Sequence, residues 1–272
     1  MAIDLTPLWD FGHPDVSEQR FRKALEQATG DAALILQTQI ARTYGLRKDF
    51  AQARRILRQI EPSIAAAGPE ARTRFQLETG RSLASATHDP KEITPQDRIE
   101  ARRSYEAALS IAREAGLDAL AIDAIHMFAF LDDSPADQLK WGQAALEVVQ
   151  ASTQPDARRW EASVRNNIGY ALHQLGRYED ALDQFQRALA LRELGTDESA
   201  TRIARWMVAW TLRSLRRVDE ALEIQLRLEK ENDAAGAPDA YVFEELEALY
   251  AARGHTARAA HYAERKAAAQ SR

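Results

Sequence analysis

Apolar and small residues recur along this chain three and four positions apart, in blocks separated by short polar turns. The clearest block places Ile168, Gly169 and Leu172 before a turn at Gly176, and Tyr178, Ala181, Phe185 and Ala188 after it. Small side chains at Gly169, Ala181 and Ala188 among bulky ones let two helices cross closely, so the block predicts a helix-turn-helix unit. The same offsets return at Ile40, Ala41, Tyr44, Phe50, Ala53 and Leu57, and again at Val208, Ala209, Leu212, Val218 and Ala221. Leu246, Tyr250, Gly254 and Ala259 repeat them more loosely. Another unit pairs Gly80 and Leu83 with Ala101, Tyr105 and Ala108, but Gly80 to Ala101 is 21 residues where Gly169 to Ala181 is 12. The inserted stretch, Asp89 to Asp97, carries two prolines and four charges and predicts an exposed loop.

A degenerate unit lies between them. Leu120, Ile122, Ile125, Phe128 and Leu131 form an apolar face, a turn follows at 132–136, and Trp141, Ala144 and Leu146 mark the next helix. Steps between equivalent small positions are 39 residues from Ala41 to Gly80, 89 over two units to Gly169, 40 to Ala209 and 38 to Glu247. Long helices are implied, and the Trp160, Val164, Ile168 stripe extends the first helix of the Gly169 unit backwards. Asp15 to Glu18 is a D-x-x-E start behind Pro14, predicting a leading helix over 16–29. Trp9 and Phe11 before it are candidates to plug the end of the first repeat. A last helix is expected over 255–269, with Arg258, Glu264, Arg265 and Lys266 for a wet outer face.

This pattern resembles the tetratricopeptide repeat (TPR), whose usual period of about 34 residues is shorter than the steps here. The run from Asn166 to Gly169 and the run from Arg187 to Arg192 are similar to the kinesin-light-chain-like branch. Gln39 to Arg47 and Arg202 to Trp206 resemble a set of bacterial TPR proteins without assigned activity. The resemblance implies an all-α, right-handed superhelical solenoid of about six repeats plus a leading helix, twelve repeat helices in all. Its organisation would be an N-terminal capping segment over 1–30 and one continuous array over 31–272.

Composition narrows the function. The chain has 272 residues, 45% of them hydrophobic, and can bury a large core. It has no cysteine, which excludes disulfides and thiolate chemistry and suits a cytoplasmic location. Its net charge of -5 argues against a general nucleic-acid binder. The N-terminus lacks a basic start and an apolar core, so no signal peptide is expected, and no apolar run is long enough to span a membrane. Six histidines show no metal-binding spacing, and no phosphate loop, nucleophile elbow or dinucleotide fingerprint occurs. No enzyme, cofactor or metal is therefore expected, and the partner expected is a protein or peptide.

In a TPR array the first helix of each unit lines the concave face. That places Asn166, Tyr170 and His173, then Trp206, Trp210 and Arg213, with Thr38, Arg42, Leu77 and Arg81 from the earlier units, and Glu78 and Asp123 as acidic counterweights. Amide, aromatic and guanidinium groups in this mixture suit a peptide site. Each has a second reading. Asn166 or Asn167 can serve a neighbouring helix end; Trp206 and Trp210 can be a packing pair; Arg42 and Arg81 can form ion pairs inside the array; His126 can be a core histidine. The carboxylate clamp of chaperone-binding TPR domains is not reproduced, because Asn167 is followed in the next unit by Ile203 and Met207 where basic residues would be needed. Three functions remain: an adaptor or regulator that binds a partner in the groove, a peptide-responsive signalling sensor acting through partner contact, and a self-associating assembly module.

Overall fold

The computed structural model describes residues 3–271. Among them are fourteen α-helices, one short 3-10 turn at Thr6–Leu8 and no strand. The helices form two compact units, one ending at Trp160 and the other beginning at Glu161.

The first unit contains α1 (Pro14–Leu25), α2 (Gly30–Leu46), α3 (Phe50–Ile64), α4 (Pro69–Arg81), α5 (Pro95–Glu114), α6 (Asp118–Phe128), α7 (Pro135–Ala151) and the single turn α8 (Pro155–Arg158). The second contains α9 (Glu161–Gln174), α10 (Tyr178–Glu193), α11 (Glu198–Ser214), α12 (Val218–Ala234), α13 (Ala240–Ala252) and α14 (Thr256–Gln270). Leaving aside α1 and α8, these are six consecutive helix pairs, three in each unit. Each pair buries its facing apolar stripes: Tyr105 and Phe128 in the first unit and Phe185 and Phe243 in the second are among the fully buried side chains, as is Phe21 of α1. Burying one such side chain contributes about 1.5–3 kcal/mol, which outweighs helix propensity in holding the pairs together.

The turns fix the register. Seven residues after Ala41, Gly169, Ala209 and Glu247 stand Lys48, Gly176, Arg216 and Gly254, all with positive φ, between 60° and 74°. One residue later, the N–H groups of Asp49, Arg177, Arg217 and His255 donate at 2.9 Å to the carbonyls of Tyr44, Leu172, Leu212 and Tyr250. The same left-handed stop thus ends the first helix in four of the six repeats, satisfying a carbonyl that the helix end leaves orphaned. Gly176 and Gly254 adopt it without steric cost, whereas Lys48 and Arg216 must be held there by the fold.

The helix crossings follow the same register. A Cβ added to Gly169 would lie 2.7 Å from the Phe185 ring, and one added to Gly80 would lie 2.4 Å from the Tyr105 ring. Phe185 stands 16 residues after Gly169, and Tyr105 stands 16 plus the nine inserted residues after Gly80. The equivalent of Phe185 in the next repeat is Gln225, fully buried with neither carboxamide atom hydrogen-bonded.

Three local expectations are corrected. The leading helix begins at Pro14 rather than Val16 and ends at Leu25; Pro14 occupies its first turn, where a missing N–H costs nothing. The inserted segment is irregular only as far as Thr94. Pro95 to Asp97 belong to α5, because Thr94 and Asp97 form a reciprocal capping box that starts the helix. The backward extension of α9 stops at a turn at Arg159 and Trp160, where the Trp160 ring packs 5.9 Å from His126 in the first unit. Trp9 stacks on Phe11 at 4.5 Å, meets Phe21 edge-on and donates from its indole N–H to Gln39 Oε1 at 3.2 Å.

Candidate functional site

In the second unit, the first helices of successive repeats bring aromatic rings into a ladder. His173 of α9 stacks on Trp210 of α11 with ring centroids 3.4 Å apart, and Tyr170 lies parallel to Trp210 at 6.0 Å. Trp206, one turn back along α11, stacks on Trp210 at 5.7 Å, and Tyr241 at the start of α13 meets Trp206 edge-on at 6.2 Å. Tyr170 is 44% exposed, Tyr241 69% and Ile203 59%, so the ladder presents a wet apolar edge rather than a sealed core. Beside it lies a cavity of about 650 Å³ lined by Ile203, Trp206, Met207, Pro238 and Tyr241. That is within the range of ~300–1,000 Å³ typical of ligand pockets. The Trp206 indole N–H is buried without an acceptor.

His173 anchors the other end of the ladder. It is buried, with Nε2 2.9 Å from Ser214 Oγ. Burial, and after it the charge of Arg213, hold its imidazole down at about 4, so the stacked ring is neutral at pH 7. The ordinary value of 6.5 applies in the unfolded chain. The unfolded state therefore binds the proton first, and the stability that this site contributes is complete above about pH 6.5 and declines as the pH falls towards about 4. At pH 5 the expected loss is on the order of 2 kcal/mol. Denaturant melts at pH 7.5 and pH 5 should show a gap that shrinks in His173→Phe, where no proton can be taken up. An equal gap in both proteins would mean that the imidazole titrates normally.

The remaining residues named from the sequence divide. Arg213 makes a two-pronged pair with the buried Glu245 of α13, Nε at 2.7 Å and Nη2 at 2.8 Å, which ties α11 to α13. Asn166 and Asn167 are half-buried on α9. Arg42 and Arg81 belong to the first unit, where α2, α4 and α6 contribute a cluster of four charges. Arg81 donates to Glu78 at 2.6 Å and to Asp123, while Arg42 stands 3.7 Å from Glu78 and 3.9 Å from Asp123. Thr38 and Leu77, expected on the concave face, are buried; Thr38 donates to the Ile35 carbonyl.

A family model described as the tetratricopeptide repeat matches residues 139–193 and, overlapping them, 160–229. Residues 139–229 match the tetratricopeptide repeat. The fold of the chain is similar to that of a Signal Transduction ATPase with Numerous Domains (STAND) protein with a tetratricopeptide repeat sensor from Pyrococcus horikoshii, with a TM-score of 0.71 and 12% identity over 94% of this chain. It spans only 39% of that protein's length. The apo form of RapI matches with a TM-score of 0.68 at 13% identity, covering 93% of this chain and 69% of RapI. Aspartyl phosphate phosphatase F from Bacillus subtilis matches with a TM-score of 0.58 at 17% identity, covering 94% of this chain and 75% of that one. No curated protein matches the sequence.

The TPR register explains which residues meet. Arg42, Arg81, Tyr170 and Trp210 each directly follow the small crossing residue of their repeat, so one structural position is charged in the first unit and aromatic in the second. Tyr241 is absent from the residues singled out by sequence reasoning. It stands six before Glu247, as Ile203 stands six before Ala209, and that shared offset was the available signal. Among the described residues no group of three or more histidines, aspartates or glutamates is placed to hold a metal ion. No described helix is long and apolar enough to cross a membrane.

Proposed function

We propose that the chain binds a protein or peptide segment across the aromatic ladder of its second unit, acting as an adaptor or regulator rather than as an enzyme. The observation that carries this reading is the stacked run from His173 and Tyr170 through Trp210 and Trp206 to Tyr241, continuous with the 650 Å³ cavity. A ladder needed only for packing would be covered at both edges, whereas Tyr170, Ile203 and Tyr241 are exposed. Binding energy concentrates in tryptophan, tyrosine and arginine anchors that enter a desolvated pocket, and this face supplies several within one turn of each other. Asn166 and Asn167 lie on the same helix as Tyr170, where carboxamides suit a partner's main chain.

The test is a displayed library of random peptides selected against the full chain. Selected peptides should lose tenfold or more in affinity for Trp206→Ala and Tyr241→Ala, because truncating one such anchor typically costs about 2 kcal/mol or more. Tyr241→Ala is the cleaner variant, since a side chain 69% exposed contributes little to the core. Unchanged affinity in both variants, with melts like that of the wild type, would remove this face as the site.

A further inference from the structure

The first unit has a cavity of its own, which the reading above does not use. It measures about 240 Å³ and lies against Arg42, Gly45 and Leu46 of α2, the charge cluster, and Met127, Phe130 and Trp160. Pockets for drug-sized ligands run from ~300 to 1,000 Å³, so this one suits a single residue or a fragment. Its polar wall is unusual. Arg81 is held by hydrogen bonds to both Glu78 and Asp123. The neighbouring Arg42 guanidinium, however, reaches those carboxylates only at 3.7 and 3.9 Å and donates no hydrogen bond among the described residues. The Trp9 and Phe11 rings cover it at 5.6 and 5.7 Å. Burial, followed by the charge of Arg81, works against its ionised form. The Arg42 side chain is about three-quarters buried, with 25% of its surface exposed, and the five N–H donors of its planar fork are left to solvent or to an incoming acceptor.

The charge balance selects the acceptor. Arg42, Arg81, Glu78 and Asp123 sum to zero. A carboxylate entering beside Arg42 would bring a third anion close to two others and leave a net negative charge in a partly desolvated site, whereas a neutral carbonyl oxygen satisfies the fork and adds no charge. The lining also includes the Met127 thioether, whose sulfur lies 3.3 Å from Arg81 Nε, and the Phe130 and Trp160 rings. We propose that this cavity takes one apolar residue of an uncharged peptide segment, its side chain against Met127, Phe130 and Trp160 and its carbonyl oxygen accepting from Arg42. The inference is independent of the aromatic ladder, because the cavity shares no residue with that face.

A matched pair of probes tests it: N-acetyl-phenylalaninamide and N-acetyl-phenylalanine, the second bearing a free carboxylate, titrated into the full chain and followed by the Met127 methyl and Trp160 indole NMR signals. The amide should shift both signals saturably, with a Kd on the order of 1 mM for so small a ligand, and leave the Met207 methyl of the second unit unmoved. The acid should bind at least tenfold more weakly. Arg42→Gln should weaken the amide at least tenfold. Should that variant fail to fold, Gly45→Leu decides, because a Cβ there meets no atom within 4 Å and the added side chain occupies the cavity without displacing backbone. It should abolish binding with an undiminished melt. No shift with either probe, equal or tighter binding of the acid, full binding to a folded Arg42→Gln, or full binding to Gly45→Leu would each overturn the assignment.

Discussion

Gly169→Leu is expected to destabilise the second unit by about 3 kcal/mol, at the upper end of the cost of overpacking a core. The first atom of any side chain at this position already lies 2.7 Å from the Phe185 ring, and that ring is 1% exposed and has nowhere to retreat. The helices α9 and α10 must therefore separate. For a unit of this size the melting temperature should fall by on the order of 10–20 °C. Gly80→Leu should act in the same way in the first unit, where the Tyr105 ring lies 2.4 Å from the new Cβ and its hydroxyl donates to the Ala84 carbonyl at 2.6 Å. Gly45→Ala is the control: it has open space and removes a flexible residue from the last turn of α2, so it should be neutral or stabilise by up to ~0.5–1 kcal/mol. Combining Gly169→Ala with Phe185→Leu should cost less than the sum of the two single changes, since a smaller side chain across the crossing makes room. An unchanged melt for Gly169→Leu would mean that the repeat register is wrong.

The crossings were legible in the sequence because a small residue opposite a bulky one at a fixed interval is itself contact geometry, and it survives a nine-residue insertion between Gly80 and Tyr105. The turns were half legible. Gly176 and Gly254 signal a left-handed stop, but Lys48 and Arg216 occupy the same position with side chains that do not favour it, so only the spacing identifies them. The break before α9 was hidden because Trp160, Val164 and Ile168 keep helical spacing although Trp160 closes the first unit and packs on His126 within it. Gln225 breaks the pattern in the opposite sense, filling a crossing position with an amide that finds no partner. At the candidate site, aromatic residues on one helix face could be named from helical spacing together with the resemblance to TPR arrays. Ion-pair partners were only partly legible. Glu78 and Asp123 could be named as counterweights to the arginines, but Glu245, 32 residues from Arg213, could not, because only the packing of successive first helices brings the two together.

Arg81→Met should be the most damaging single substitution in the first unit, costing about 3–5 kcal/mol at pH 7, the usual result of stripping one partner from a buried ion pair. Glu78 and Asp123 are both buried, and without Arg81 the cluster retains two carboxylates against Arg42 alone, at 3.7 and 3.9 Å. The pH dependence separates lost charge from lost packing. In the wild type, burial pushes the Asp123 carboxyl up, but Arg81 and then Arg42 more than offset it and hold its pKa below 3.8. Its contribution to stability is therefore present above about pH 3.8 and is lost only as the pH falls through that depressed value. In Arg81→Met the balance reverses: a buried carboxyl without its main partner takes up a proton more readily than in the unfolded chain, so acidification towards pH 4 relieves the variant while this site in the wild type keeps its contribution. The stability gap between the two should accordingly narrow between pH 7 and pH 4. Adding Asp123→Asn to Arg81→Met should recover much of the loss at pH 7, because Arg42 and Glu78 then balance and no uncompensated carboxylate stays buried. A gap that stays constant with pH, together with no recovery in the double variant, would show that Arg81 stabilises the unit through the packing of its aliphatic stem and that the four charges contribute little.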